Sequence, residues 1–180
     1  DHLGRKKTWT WNERYALLSY TTAEGHTVTC EYDQNGKLIK AVSYKDGTWN
    51  YEYDSKGRLT KTTDPLGNVS ATAWHLDFPD LPEQETEPDG SSTRYGYDKR
   101  GNLASLTDAA GNTARFVRDR FGQIQAYVDP AGGVSRYGWD KRALLLHHTD
   151  CSEKSTAFRY DDLGNQTLHI DPLGQREQAA

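Results

Sequence analysis

Large side chains recur along this chain in pairs, two residues apart, each pair followed by a short polar run. The pairs are Trp9/Trp11, Cys30/Tyr32, Tyr51/Tyr53, Trp74/Leu76, Tyr95/Tyr97, Phe116/Arg118, Tyr137/Trp139 and Phe158/Tyr160. A spacing of two puts both members on one face of an extended strand. A second column, Leu17, Leu38, Leu59, Leu103, Ile124 and Leu145, marks a strand that leaves each polar run. The pattern predicts short antiparallel strands, two to a unit. A unit of about 21 residues leaves no room for a helix.

An acidic residue follows each pair: Asp33, Asp54, Asp77, Asp98, Asp119, Asp140 and Asp161, in steps of 21, 23, 21, 21, 21 and 21 residues. The one long step reads as a two-residue insertion between Gly67 and Asp77. Stepping back 21 residues from Asp33 reaches Asn12, in a degenerate unit. In YDSKGRL the Asp and the Gly three later fit a turn, with the carboxylate accepting from backbone N–H groups and the Gly taking φ > 0. Ten residues beyond the marker a second turn is expected, DPLG at Asp64–Pro65–Leu66–Gly67, with Asp108, Gly111, Asp129, Pro130, Gly132, Asp171, Pro172 and Gly174 in the same phase. Asp1 and Gly4 fit that phase too. The repeat signature is therefore Tyr32, Tyr53, Tyr97, Trp139 and Tyr160, each followed by its Asp, together with Gly36, Gly57, Gly101, Gly122, Gly164 and the second-turn residues. Units near 1–31, 75–96 and 139–159 are degenerate. Ala143 and Glu153 stand where glycines are expected, and FPDLPEQETEPDG replaces a first turn. Its acidic run, Glu83 to Asp89, reads as a solvated loop.

The unit Y-D-x-x-G-x-L-x-x-x-x-D-P-x-G, in close copies at Tyr53–Gly67, Tyr97–Gly111 and Tyr160–Gly174, resembles the Rhs/YD-repeat family over the whole chain. That resemblance implies an all-β fold in which antiparallel hairpins build a continuous curved sheet, part of a hollow β-shell. In the family such shells enclose a toxic C-terminal domain, in bacterial polymorphic toxins and the C components of insecticidal Tc complexes; teneurins carry a related shell. It further implies a secreted or cell-surface protein whose partners are the rest of its own shell, the enclosed toxin domain, and secretion-machinery or chaperone proteins. The family's autoproteolytic core is not recognisable, so residues 1–180 read as one array, a segment of wall.

Composition fits a thin sheet. Hydrophobic residues are 34% and mean hydropathy is -0.92, yet 11% of residues are aromatic. Disordered chains are aromatic-poor. A net charge of -4 without a basic run argues against nucleic-acid binding, and no apolar stretch reaches the length of a membrane span. The chain begins at Asp1 and contains no methionine, which reads as a processed or excised piece. Cys30 and Cys151 read as unpaired thiols.

Candidate chemistry is sparse. The aspartates invite a paired-carboxylate reading, as in glycosidases, but their spacing from Gly and Pro is explained by turns, so no catalytic residue and no enzyme is expected. His147, His148 and Cys151 lie close together, with His26, His75 and His169 elsewhere. Adjacent residues point to opposite faces of a strand, so no metal site or other cofactor is expected. The aromatic columns could stack sugars. A cell-surface adhesion or carbohydrate-binding module is thus the alternative function, and a self-cleaving or glycan-hydrolysing enzyme a weaker one.

Overall fold

A computed structural model of the chain describes residues 4–178; Asp1 lies outside them. It contains seventeen strands, and no helix among the described residues. The chain divides into two compact units, one up to Ser92 and one from Thr93. The first carries β1 (Thr8–Trp11), β2 (Leu17–Thr21), β3 (Thr27–Tyr32), β4 (Leu38–Ser43), β5 (Gly47–Tyr53), β6 (Leu59–Thr63), β7 (Val69–Trp74) and β8 (Pro82–Thr86). The second carries β9 (Ser92–Tyr97), β10 (Leu103–Thr107), β11 (Thr113–Arg118), β12 (Ile124–Val128), β13 (Val134–Trp139), β14 (Leu145–Thr149), β15 (Ser155–Tyr160), β16 (Gln166–Ile170) and β17 (Arg176–Gln178). Within each unit every strand pairs antiparallel with the next.

Most repeats use one turn twice; the second turn of the Asp33 repeat differs, Ser43 Oγ accepting from the N–H groups of Lys45 (3.3 Å) and Asp46 (3.2 Å) while Ser43 pairs with Gly47. At the first turn the Asp54 N–H donates to the Arg58 carbonyl and the Gly57 N–H to the Asp54 carbonyl, both at 2.9 Å. The second turn repeats this from Asp64 to Asn68 and from Gly67 to Asp64, both at 3.0 Å. This is the three-residue hairpin loop that ends on a left-handed residue. Gly57 has φ +79° and Gly67 φ +85°.

The two halves of a repeat differ by one residue, a bulge. In β5–β6, Tyr53 pairs with Leu59 but Glu52 pairs with Lys61, so Thr60 is unpaired in the register. The same shift recurs at Trp11/Leu17, Tyr32/Leu38, Arg118/Ile124, Trp139/Leu145 and Tyr160/Gln166. A bulge resets the alternation of faces. It therefore brings the aliphatic column (Leu17, Leu38, Leu59) onto the face that carries the aromatic pairs. Opposite the outer member of each pair sits a column with no signature in the sequence: Trp9 faces Tyr20, Phe116 faces Tyr127, Tyr137 faces His148 and Phe158 faces His169. Their ring centroids lie 4.8–5.4 Å apart. The other face mixes ion-paired, small and aliphatic positions: Lys40 meets Glu31 at 2.9 Å, Lys61 meets Glu52 at 2.7 Å, His147 lies over Gly138, and Val42, Val128 and Ile170 stand opposite Thr29, Arg115 and Ala157.

Ala114 is the one buried residue among those described. Cohesion thus comes from cross-strand pairs, each contributing about 0.2–1 kcal/mol, with no enclosed core.

Two expectations need correction. The residue at the cap position after β7 is His75, not Asp77, and the two extra residues lie inside the loop, whose closing bond runs from the His75 N–H to the Leu81 carbonyl at 2.9 Å. His75 Nδ1 takes the place of a carboxylate oxygen, accepting from the N–H groups of Asp77 (3.1 Å) and Phe78 (3.2 Å). Consequently Trp74 occupies the inner aromatic position that Leu76 was expected to fill, and Leu76 is 84% exposed. The acidic run from Glu83 is likewise no loop. Residues 82–86 form β8, paired with β7, and Glu87 to Gly90 make an ordinary second turn. A strand with solvent at hand tolerates carboxylates, so charge did not prevent pairing.

Three turns place a side-chain-bearing residue where glycine is the rule: Tyr15 (φ +58°), Ala143 (+66°) and Glu153 (+61°). A Cβ in this region costs roughly 1–2 kcal/mol, part of which glycine's unfolded-state entropy offsets. Ala143→Gly and Glu153→Gly should each raise stability by about 0.5–1 kcal/mol in urea unfolding. A loss of stability would contradict the turn assignment.

Candidate functional site

The chemistry-bearing groups of the signature converge on the turns. In the first turn, Asp54 Oδ1 accepts from the N–H groups of Lys56 (2.9 Å) and Arg58 (3.0 Å). In the second, Asp64 Oδ1 accepts from those of Leu66 and Asn68, both at 2.8 Å. Asp33, Asp98, Asp119, Asp140 and Asp161 do the same in first turns, and Asp108, Asp150 and Asp171 in second turns. Asp129 accepts from the Gly133 N–H at 2.8 Å. Gly36, Gly101, Gly111, Gly122, Gly132, Gly164 and Gly174 supply positive φ three residues after their caps. Pro65, Pro130 and Pro172 follow the second-turn Asp, where a fixed φ near −65° suits the loop's first residue.

A further element of the turn had no place in the expected signature. An Asn four residues after the Asp donates its side-chain amide to the second carboxylate oxygen: Asn68 to Asp64 at 2.7 Å, and Asn102 to Asp98, Asn112 to Asp108 and Asn165 to Asp161 at 2.9 Å. Asp54 instead receives the Arg58 guanidinium, Nε to Oδ2 at 2.7 Å. These bonds favour the charged form. The Asn amide leads in holding Asp64, Asp98, Asp108 and Asp161 below the ordinary carboxylate range, and the backbone N–H four residues on leads for Asp54, Asp140 and Asp150.

The inner aromatic position is a hydrogen-bonding one. Each tip donates to the carbonyl of the residue fifteen earlier, at the start of the preceding outgoing strand. Tyr32 reaches Leu17 at 2.9 Å, Tyr53 reaches Leu38 at 2.9 Å, and Tyr160 reaches Leu145 at 3.0 Å. Trp74 Nε1 reaches Leu59 at 2.9 Å and Trp139 Nε1 reaches Ile124 at 2.7 Å. Arg118 Nε reaches Leu103 at 3.4 Å. The ladder on that side stops short of these carbonyls: β4–β5 pairing, for example, begins at Lys40. The tip thus serves a carbonyl that the ladder leaves. Tyr, Trp and Arg all carry a donor at the required reach; Phe does not, and within the paired columns it occurs only at the outer position (Phe116, Phe158). Burial pushes the Tyr32 and Tyr53 hydroxyls above the usual phenol range, keeping them donors.

The histidines are dispersed. His147 and His148 lie on opposite faces, the latter stacked on Tyr137 at 4.8 Å. Cys30 and Cys151 are unpaired. Among the described residues no group of three or more His, Cys, Asp or Glu is arranged to hold a metal ion.

Tyr53→Phe should lower stability by about 0.5–1.5 kcal/mol, the worth of one hydrogen bond, measured by urea unfolding; Phe158→Tyr, which gains no such acceptor, should not raise it. The cap aspartates also fix a pH dependence. For Asp54, Asp64, Asp98, Asp108, Asp140, Asp150 and Asp161 the folded-state pKa lies below the unfolded one, so their contribution is complete above the ordinary carboxylate range and is lost as pH falls through the folded value. The melting temperature should be flat from about pH 7 to 5 and fall below about pH 4. Asp98→Asn, which keeps the Oδ1 acceptor as Asn12 does, should fold at neutral pH and flatten the acid limb. An unchanged acid limb would refute the cap's part in it.

The RHS Repeat family model matches residues 32–69, 83–113 and 144–176, more than half of the chain. Among solved structures the chain is similar to TcdB2-TccC3 without its hypervariable C-terminal region, at 12% identity and TM-score 0.47 over 98% of this chain and 13% of that one. It is also similar to the Tc holotoxin pore of Photorhabdus luminescens (14% identity, TM-score 0.44, 98% and 13%) and to a porin-like protein from Bacteroides uniformis (14%, 0.33, 95% and 86%). The chain spans 13% of the length of those Tc toxin chains. No curated protein matches it. The matched stretches include the Asp33, Asp54, Asp64, Asp98, Asp108, Asp150, Asp161 and Asp171 turns, and the chain belongs to the RHS repeat family.

Proposed function

We propose that this chain is a stretch of wall in an Rhs-repeat shell that encloses a toxin domain, in a protein that acts outside the cell that makes it. One observation carries the reading: the repeat's polar chemistry is committed to holding its own turns. The carboxylates accept from the turn's backbone, and the aromatic tips serve strand carbonyls. Such a unit adds sheet area at a constant rate without needing a core, which is what a container requires. The family to which the chain belongs, and its 98% coverage by the TccC3-containing structures, point the same way. The partners in this reading are further repeats of the same shell and the enclosed domain.

Limited proteolysis of the intact parent protein tests it. A fragment outside the repeats should resist protease until the shell is unfolded by denaturant, and become sensitive in the same transition. A fragment digested at native conditions while the repeats stay intact would overturn encapsulation. Saturable binding of an oligosaccharide by such a protein would favour the adhesion reading instead.

A further inference from the structure

The first turns lie along one rim of each unit, and arginines stitch some neighbours together but not others. Arg14 donates to the Gln34 carbonyl at 2.8 Å, crossing from the Asn12 turn to the Asp33 turn. Arg58 reaches the Pro79 carbonyl, from the Asp54 turn to the His75 loop. In the second unit Arg100 reaches the Arg120 carbonyl, and Arg142 the carbonyls of Asp161 (2.9 Å) and Asp162 (3.0 Å). The steps between Asp33 and Asp54, and between Asp119 and Asp140, have no such stitch among the described residues. Stitched and open steps therefore alternate within each unit.

The open steps are grooves. One, of about 540 Å³, lies between the Asp119 and Asp140 turns and includes Phe121 and Trp139 in its lining; the other, of about 720 Å³, lies between the Asp33 and Asp54 turns and includes Tyr51 and Tyr53. Asn35 and Phe121 stand at the turn position that Arg14, Arg100 and Arg142 fill elsewhere. An independent feature coincides with the gap. The second carboxylate oxygen is held in Asp54 by Arg58, in Asp98 by Asn102, in Asp140 by Arg142 and in Asp161 by Asn165. Asp33 and Asp119, the leading carboxylates of the two open grooves, have Lys37 and Gln123 four residues on, and their Oδ2 atoms have no donor among the described residues. In neither open groove does an arginine bond the next turn's carbonyl, although Arg120 is part of the lining of the Asp119 groove; each presents a carboxylate oxygen without a donor among the described residues, a first-turn carbonyl (Ser55 or Lys141) and an aromatic face.

We propose that each open groove takes an arginine side chain from a second polypeptide segment. The guanidinium would donate to the carboxylate and the turn carbonyl together, as its planar fork of donors allows, with its face against the ring. Arg58 already lies 5.4 Å from the Trp74 ring centre in a stitched step. Lys37 (5.7 Å from the Tyr53 ring centre) and Arg120 (4.7 Å from that of Phe121) show that these rings accept a cation's company. The inference goes beyond the wall reading and does not need an enclosed domain, so either can fail alone.

The test is a titration of the full chain with N-acetyl-arginine amide, followed by NMR at the Trp139 indole N–H, with the citrulline and lysine analogues as controls. Saturable shifts with the arginine probe are expected, at least about tenfold weaker with citrulline, which lacks the charge. Phe121→Arg, at a 71% exposed position, should fill the groove from within and abolish the response. Asp119→Asn, which keeps the Oδ1 cap, should weaken it. Equal shifts with citrulline, no saturation with arginine, or an unchanged response in Phe121→Arg would overturn the proposal.

Discussion

One hydrogen-bonded device carries this structure: a carboxylate oxygen that accepts two backbone N–H groups, at the second and fourth residues beyond it, while a left-handed residue closes the loop between them. It satisfies donors that a tight turn would otherwise leave to water, and it fixes which residue begins the next strand. Because both turns of most repeats use it, with Asn12, Thr22 and His75 substituting another acceptor, the register of those hairpins is set locally. A sheet with almost nothing buried needs that. Where a large core would penalise a one-residue slip by burying the wrong face, here the turn itself holds the count.

The bulge and the aromatic tip follow from the same economy. A bulge in each repeat turns the aliphatic residue onto the aromatic face, so that both columns lie together. The donors of Tyr53, Trp74 and Trp139 in turn reach the carbonyls that the ladder leaves. Cohesion then comes from many small neighbouring terms, each depending on the adjacent repeat. This is the pattern of a quasi-one-dimensional array, and it suits a protein part whose size is set by how often the unit is repeated.

Much of this was legible in the sequence because the governing chemistry is short-range. Asp followed by Gly at the third place names a turn, and alternating aromatics name a strand face. What escaped was chemistry done by unexpected atoms. The imidazole Nδ1 of His75 replaces a carboxylate oxygen, which hid the cap and displaced the insertion onto Asp77. Arg118 stands in the aromatic column without a ring, and its Nε continues the row of donors. Glu83 and Glu85 looked like loop because charge is usually kept out of strands, a rule that loses force in a sheet open to water. The bulge was invisible because it changes no residue type, only the face on which Leu59 and its equivalents stand.

Native-state hydrogen exchange on the turn amides tests the central claim most directly. If the capped turn holds the register, the Arg58 and Asn102 N–H groups, bound to Asp54 and Asp98 Oδ1, should exchange as slowly as the paired amides in the middle of β6 and β10. Exchange of those two amides at the rate of an open loop, with the strands still protected, would contradict it.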